Sequence, residues 1–324
     1  MIRRCMATRE FVLFLVLVVL FAALSIFVDG FFNASGLLRQ SRYWVATGMV
    51  AIPMTFIIAT AGIDLSVGSM VALCGVVLGL LCRDCGWNVW PAACAAVLVG
   101  GLAGTLNGAV GSYLGIPPLV VTLATMALFR GLAMGLSKAE SLQGFPAAFI
   151  WLGKGNVLAF LDNRSAYLPV SVIVLLLFYV AGWLIMRRTW VGRFTECIGE
   201  NETAAAFAAI DVRRLKLGLY AGCGFMCGMA SLFHTALYEA AKADTAGGME
   251  LEAIACVVVG GTRISGGQGT VLGSLLGLLI IGILRHGLVM ANVKQQYVVI
   301  YVGLLLVATA VLNEWMARRR GVKS

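Results

Sequence analysis

The chain has 324 residues, of which 60% are hydrophobic and 12% charged, whereas soluble domains run at about 45–50% apolar and about 25% charged. Most of the chain must therefore sit in lipid. The formal net charge of +9 does not point to a nucleic-acid partner, because the basic residues stand in short clusters beside apolar runs, as membrane topology expects.

A bilayer core of about 30 Å takes about 20 apolar residues per helix. Apolar runs bounded by Pro, Gly and charge clusters predict ten spans, near 11–28, 44–61, 66–82, 91–114, 118–137, 168–186, 214–238, 251–262, 270–290 and 296–313. The eighth is too short for a simple crossing. Arg3, Arg4 and Arg9 precede the first, an arrangement shared with signal peptides, but no small-x-small cleavage site follows, so an uncleaved first helix is expected. The expected fold class is all-α: a polytopic integral membrane protein of one transmembrane domain over 1–324.

The span from 44 to 61 ends on Gly62-Ile63-Asp64-Leu65-Ser66, and Gly248-Met249-Glu250-Leu251-Glu252 repeats that pattern before another small-residue helix. Gly104-Thr105-Leu106-Asn107-Gly108 likewise matches Gly273-Ser274-Leu275-Leu276-Gly277. These pairs map spans 2–5 onto spans 7–10, and the odd offset of five inverts the second copy, a transporter signature. Asp64 is expected to cap or charge-stabilise the third helix, which is favourable by about 0.3–1 kcal/mol. Glu250 would do the same at the opposite face of the membrane. Gly100, Gly104 and Gly108, and then Gly269, Gly273 and Gly277, fall four apart and predict two narrow glycine faces for close helix packing.

Charges at membrane depth are costly and commonly face a polar path. Arg130 lies deep in the fifth span and Arg285 near the end of the ninth, next to His286. Together with Asp64 and Asn107 they are the candidates to line a solute pathway. Most of the nine cysteines lie in apolar runs, and Cys82 and Cys85 are close enough at a helix end to consider a bridge.

The loop at about 187–216 carries Arg187, Arg188, Arg193, Arg213, Arg214 and Lys216. With Arg3, Arg4, Arg9 and the tail residues Arg318, Arg319, Arg320 and Lys323 it holds thirteen of the 24 basic residues. Ten spans put all three segments on one side, the cytoplasm. Within the loop, Asn201 can cap a helix, Glu202 suits its first turn, and the alanines from 204 to 209 continue it for about two turns, roughly 12 Å. A small-residue helix bearing one aromatic, Phe207, outside the membrane suits insertion into a groove on a partner.

The chain has no G-x-x-x-x-G-K-[ST] loop, no H-E-x-x-H and no G-x-S-x-G. No catalytic residue, metal or cofactor is expected, and any ATP that drives transport must bind another chain. An inverted repeat alone would also fit an ion- or proton-coupled secondary transporter of a small polar solute. An integral-membrane enzyme is disfavoured by the lack of clustered His, Asp and Glu.

Taken in order, several motifs resemble the permease subunits of ABC importers for simple sugars, the group that includes ribose, xylose, rhamnose and autoinducer-2 systems. They are Gly62-Ile63-Asp64-Leu65-Ser66-Val67-Gly68-Ser69, the stretch 117–125 with Arg130-Gly131, Gly199-Glu200-Asn201-Glu202-Thr203-Ala204-Ala205, and Val258-Val259-Gly260-Gly261-Thr262 leading to Gly266-Gly267-Gln268-Gly269. The stretch 117–133 followed by Gly144-Phe145-Pro146 is most similar to rhamnose-type and autoinducer-2-type members. The resemblance implies a pair of permease chains, identical or related, an ABC ATPase pair beneath and an extracytoplasmic sugar-binding protein, in a bacterial cytoplasmic membrane with both termini inside. It also implies that the segment from Gly199 to Phe207 is the helix that seats in the ATPase. Where the family commonly has two glycines before Ile-Asp, Ala61 replaces the first.

Overall fold

The computed structural model describes residues 2–160 and 167–294 and a few positions between 297 and 311. The expected tenth span falls largely outside the described residues, and the basic tail does so entirely. In chain order the helices are α1 (Ile2–Phe27), α2 (Ala34–Ser41), α3 (Val45–Ala59), α4 (Val67–Arg83), α5 (Val89–Tyr113), α6 (Pro118–Ser137) and α7 (Ala147–Lys154). There follow α8 (Val170–Arg188), α9 (Trp190–Glu200), α10 (Glu202–Phe207), α11 (Val212–Tyr238), α12 (Met249–Val259) and α13 (Val271–Met290). Two short strands, β1 (Leu142–Gln143) and β2 (Ala240–Ala241), pair antiparallel.

The chain is an all-α polytopic membrane protein. Seven helical stretches among the described residues are long and apolar enough to cross a bilayer, against the ten expected. The difference has a physical cause beyond the undescribed tail. The expected third span is α4, apolar but only 17 residues long. The eighth is α12, whose 11 residues reach about 16 Å at 1.5 Å per residue, roughly half a hydrocarbon core.

Helix α3 forms the centre of the core, with all 15 of its residues buried although Pro53 interrupts its hydrogen-bond ladder. A helix that is apolar on every side belongs inside a bundle. The most intimate interface joins α5 to α11. A Cβ on Gly104 would meet the Tyr220 carbonyl and lie 2.9 Å from the Gly224 Cα, and one on Gly100 would meet the Gly224 carbonyl. Gly108 faces Leu217 and Gly228 faces Val97, so the two helices run antiparallel with backbones in contact. On the second glycine face, Gly273 and Gly277 of α13 press against Gly260 and Cys256.

The two halves pack on each other through α3 and α11. Helix α3 packs on α11, α12 and α13, while α11 packs on α3, α4 and α5. From the amino ends of α4 and α12 the two helices diverge, α4 towards the β1–β2 hairpin and α12 towards the end of α3, where Thr262, Gly269 and Ala59 meet. One expectation is corrected here: Asp64 and Glu250 are not at opposite faces. The first-turn glycine of α4, Gly68, touches the Glu250 carboxylate and the Ala246 carbonyl, so the two amino ends meet inside the bundle. Cys82 and Cys85 are both free thiols, and no bridge joins them.

Gly104→Leu should force α5 and α11 apart and cost about 1–3 kcal/mol or more, read as a lowered thermal midpoint in detergent. Gly101→Ala, which meets open space, should leave that midpoint unchanged. An unaltered midpoint for Gly104→Leu would contradict the contact.

Candidate functional site

The turn between α3 and α4 carries Asp64, which is fully buried. Its Oδ1 accepts from the Ser66 backbone N–H at 2.9 Å and from the Ser66 hydroxyl at 2.6 Å. The residue at the cap position of α4 is Ser66 itself, without a side-chain cap bond. Asp64 therefore braces the turn one step before the helix rather than capping it. Asn107, on the glycine face of α5, donates through Nδ2 to the Ser66 hydroxyl at 2.8 Å. Asp64 Oδ2, Asn107 Oδ1 and the Tyr220 hydroxyl have no partner among the described residues. Asn107 and Tyr220 line a cavity of about 750 Å³ that is also lined by Glu202 and Thr203 of α10 and by the α5–α6 turn.

Beyond Tyr238 the chain folds back into the bundle. Ala241 reaches Gly75 of α4, and Ala246 reaches Gly68 in the first turn of the same helix. The returning segment ends at Gly248, whose φ of 83° and open surroundings suit a glycine at the start of α12. An irregular backbone at this depth must have its carbonyls satisfied by protein. Arg130 does this: its Nη1 donates to Ala243 O at 2.6 Å and Thr245 O at 2.7 Å. The arginine singled out as a path-lining charge thus holds the backbone of the returning segment.

Arg285 forms an ion pair with Glu252 of α12, and Thr47 donates to the other Glu252 oxygen at 3.5 Å. The pair lines a second cavity of about 370 Å³ at the end of the bundle away from α10, between α3, α11, α12 and α13. Trp44, Ser171 and His234 share its wall. Of the four path candidates, Asp64 and Asn107 are brought together, while Arg130 and Arg285 stand apart from them and from each other.

Besides the expected short helix, the loop at 187–216 holds a longer one, α9, which sequence reasoning missed. Thr189 caps α9 by accepting from the Val191 N–H, and Trp190, Phe194 and Ile198 recur four apart along it, a periodicity that could have revealed the helix. Asn201 caps α10 by accepting from the Ala204 N–H at 2.9 Å. α10 covers six residues, Glu202–Phe207, and stops there because Ala208 leaves helical geometry and Ala209 takes a φ of 61°. It is shorter than the two turns expected. Glu202 pairs with Lys216 at 2.7 Å, and Ala205 seats α10 in a small cluster with Ile198, Val212 and Leu215. Thr203 and Ala204 face outward, and Phe207 is 89% exposed. Gly199 presses on the Ala59 carbonyl and Glu200 on Gly267, tying α9 to the end of α3.

Residues 36–310 match the family described as "Branched-chain amino acid transport system / permease component". The chain is 34% identical over 304 residues to the autoinducer 2 import system permease protein LsrD of Yersinia pseudotuberculosis serotype O:3 (strain YPIII), with 89% of each chain covered. The same identity and coverage hold for LsrD of Yersinia pestis (strain Pestoides F). No solved structure matches.

Arg130→Ala removes two hydrogen bonds from a charged donor, each contributing about 1.5–3 kcal/mol. Hydrogen exchange of the amides between 240 and 248 should accelerate by about tenfold or more, while α5 and α11 keep their protection. Unchanged exchange would show that the segment is held by other contacts. Asp64→Asn keeps an acceptor for Ser66 and should be tolerated, whereas Asp64→Leu should destabilise by about 1–3 kcal/mol through the unpaired Ser66 N–H; equal midpoints for the two would refute the bracing role.

Proposed function

The chain belongs to the permease family whose description is "Branched-chain amino acid transport system / permease component", and on that premise we propose that it is the membrane-spanning subunit of an ATP-driven importer for a monosaccharide or related small sugar, of the rhamnose, ribose or autoinducer 2 class. The relatives named as autoinducer 2 import permeases support this solute class. The importer would comprise a second permease chain, the same or related, an ABC ATPase pair and an extracytoplasmic sugar-binding protein. The whole of 1–324 would act as one permease domain in the bacterial cytoplasmic membrane. The end of the bundle carrying α10 would face the cytoplasm, as would both termini, in keeping with the arginines clustered between 187 and 216.

The observation that carries the reading is the form of α10. It is a short helix outside the apolar bundle, fixed on one face by Ala205 and at its start by Asn201, with an exposed phenylalanine at its far end. A helix anchored from behind and presenting an aromatic suits the helix-in-groove mode, with the groove on the ATPase. The residues Gly199, Glu200, Asn201, Glu202, Thr203, Ala204, Ala205 and Phe207 form the proposed coupling element. The pair of exposed Glu202 with half-buried Lys216 orients the helix. Motion delivered to α10 would pass through Gly199 to the end of α3.

Phe207→Asp should abolish ATP-dependent uptake and weaken ATPase association by about 2 kcal/mol or more, the size of a hot-spot loss, with membrane abundance unchanged. Uptake at the native rate by that variant would refute the coupling role. Uptake that survives ATP depletion but is lost with an uncoupler would instead support a secondary transporter.

A further inference from the structure

Two arginines stand where the charge pattern of a membrane protein does not place them. Basic residues beside membrane helices concentrate on one side, here the α10 end with its six between 187 and 216. Arg39 lies instead in the last turn of α2 and Arg42 three residues on, in the short 3₁₀ turn Arg42–Trp44 that leads into α3, at the end of the bundle away from α10. Neither forms an ion pair among the described residues. Asp29 is the one acid between α1 and α3, and it reaches neither of them.

Both guanidiniums converge on one ring. Arg39 lies over the face of Tyr167, 5.2 Å from its centroid, and Arg42 Nη1 donates to the Tyr167 hydroxyl at 3.4 Å. Tyr167 is itself anchored, donating to the Lys154 carbonyl at 3.4 Å. Arg42 also lies over the Tyr43 ring at 5.2 Å. Aromatic faces attract cations, but two like charges three apart on a helical turn repel each other, and a tyrosine shelf does not neutralise them. An anion shared between the two guanidiniums would. Their planar forks match the oxygens of a phosphate group.

The surroundings select the anion. Trp87, Trp90, Trp151, Tyr43 and Tyr238 stand half exposed at this end of the bundle, as aromatic side chains do at the level of lipid headgroups. Beside the arginines, Phe27 at the end of α1, Phe32 in the turn after it and Leu38 of α2 expose apolar side chains. A phospholipid uses both surfaces, whereas a free phosphate uses only the charged one. A zwitterionic headgroup would bring a further cation to a place that already holds two. We propose that Arg39 and Arg42 bind the phosphodiester of an anionic phospholipid in the leaflet at this end of the bundle, with its acyl chains against Phe27, Phe32 and Leu38. Trp44, two residues beyond Arg42, packs on Gly282 of α13 and leads into α3, so the bound lipid steadies the head of the central helix. The site involves neither solute nor ATPase and stands independently of the importer reading.

The test uses the full-length chain, with lipid retention counted by native mass spectrometry and thermal midpoints measured in nanodiscs of phosphatidylcholine alone or mixed with phosphatidylglycerol. Phosphatidylglycerol should be retained in preference to phosphatidylcholine and should raise the midpoint. The double substitution Arg39→Gln/Arg42→Gln should weaken that preference by about tenfold or more, as the loss of two guanidinium contacts implies, and make the midpoint indifferent to phosphatidylglycerol. Its midpoint in phosphatidylcholine should match that of the unaltered chain, which separates a lipid role from a structural one; should the double variant fail to fold, Arg39→Gln alone, on an exposed side chain, carries the test. Lys138→Gln, at an exposed lysine of the same end, should keep the preference. Equal retention of the two lipids by the unaltered chain, a preference that the double variant keeps, or one that Lys138→Gln loses equally would overturn the proposal. So would inorganic phosphate reproducing the rise in midpoint, which marks a free-anion site, or poly-L-glutamate displacing the lipid at equal charge, which assigns the arginines to an acidic protein.

Discussion

The structure depends on the approach of α5 to α11. In lipid the hydrophobic effect gives helices no reason to associate, since acyl tails are as apolar as leucine, and association falls to dispersion between surfaces close enough to touch. Gly100, Gly104 and Gly224 meet that condition by presenting backbone to backbone. The contact also sets much else. It brings Tyr220 beside Gly62 and so fixes the turn that holds Asp64. It also fixes the line of α11, and with it the point from which the segment after Tyr238 re-enters the bundle.

Charge inside the bundle is managed locally. Arg130 is spent on two carbonyls of the returning segment, Arg285 on Glu252, and one oxygen of Asp64 on the turn at Ser66. Each solution lowers the cost of a polar group in a poor solvent by binding it to a neighbour that faces the same cost. Among the buried polar atoms left unmatched, six fall into two groups, Asp64, Asn107 and Tyr220 at the α10 end and Ser171, His234 and Arg42 at the other. Asn107 and Tyr220 line one of the two cavities described above, and Ser171, His234 and Arg42 line the other.

Much of this was legible in the sequence because hydrophobic length and glycine spacing are local signals. The spans that became α5, α6, α8, α11 and α13 stand within two residues or so of the expected ends. The glycines four apart did mark the close interfaces. The half-length of α12 was visible in its short apolar run, but the place where it starts was not. That place depends on Gly68 meeting Glu250 across 182 positions of sequence, and on Arg130 finding the carbonyls of Ala243 and Thr245. Similarly, Glu252 and Arg285 each read as lone charges, and nothing in their spacing pairs them. Ser171, which follows Pro169 at the head of an apolar run, carried no signal at all. In this chain the helices were predictable from neighbours in sequence, and the sites arise from neighbours in space.

Helix α3 gives the arrangement a further property. Its carboxyl end lies against the α9 module, where the Ala59 carbonyl accepts from the Gly267 N–H at 3.0 Å and packs on Gly199. Its amino end carries Thr47, which bonds Glu252 on the wall of the far cavity. Between them, Thr55 contacts the Ser274 hydroxyl of α13 at 2.7 Å, so the helix cannot shift without its neighbour. A buried rod that touches both ends makes them thermodynamic equals. If a partner at the α10 end prefers one setting of α3 tenfold, about 1.4 kcal/mol, a ligand at the other end that prefers the same setting strengthens that partner's hold to the same degree that the partner strengthens its own. Linkage of this kind has no privileged direction: the membrane end can report to the α10 end as fully as it is governed by it.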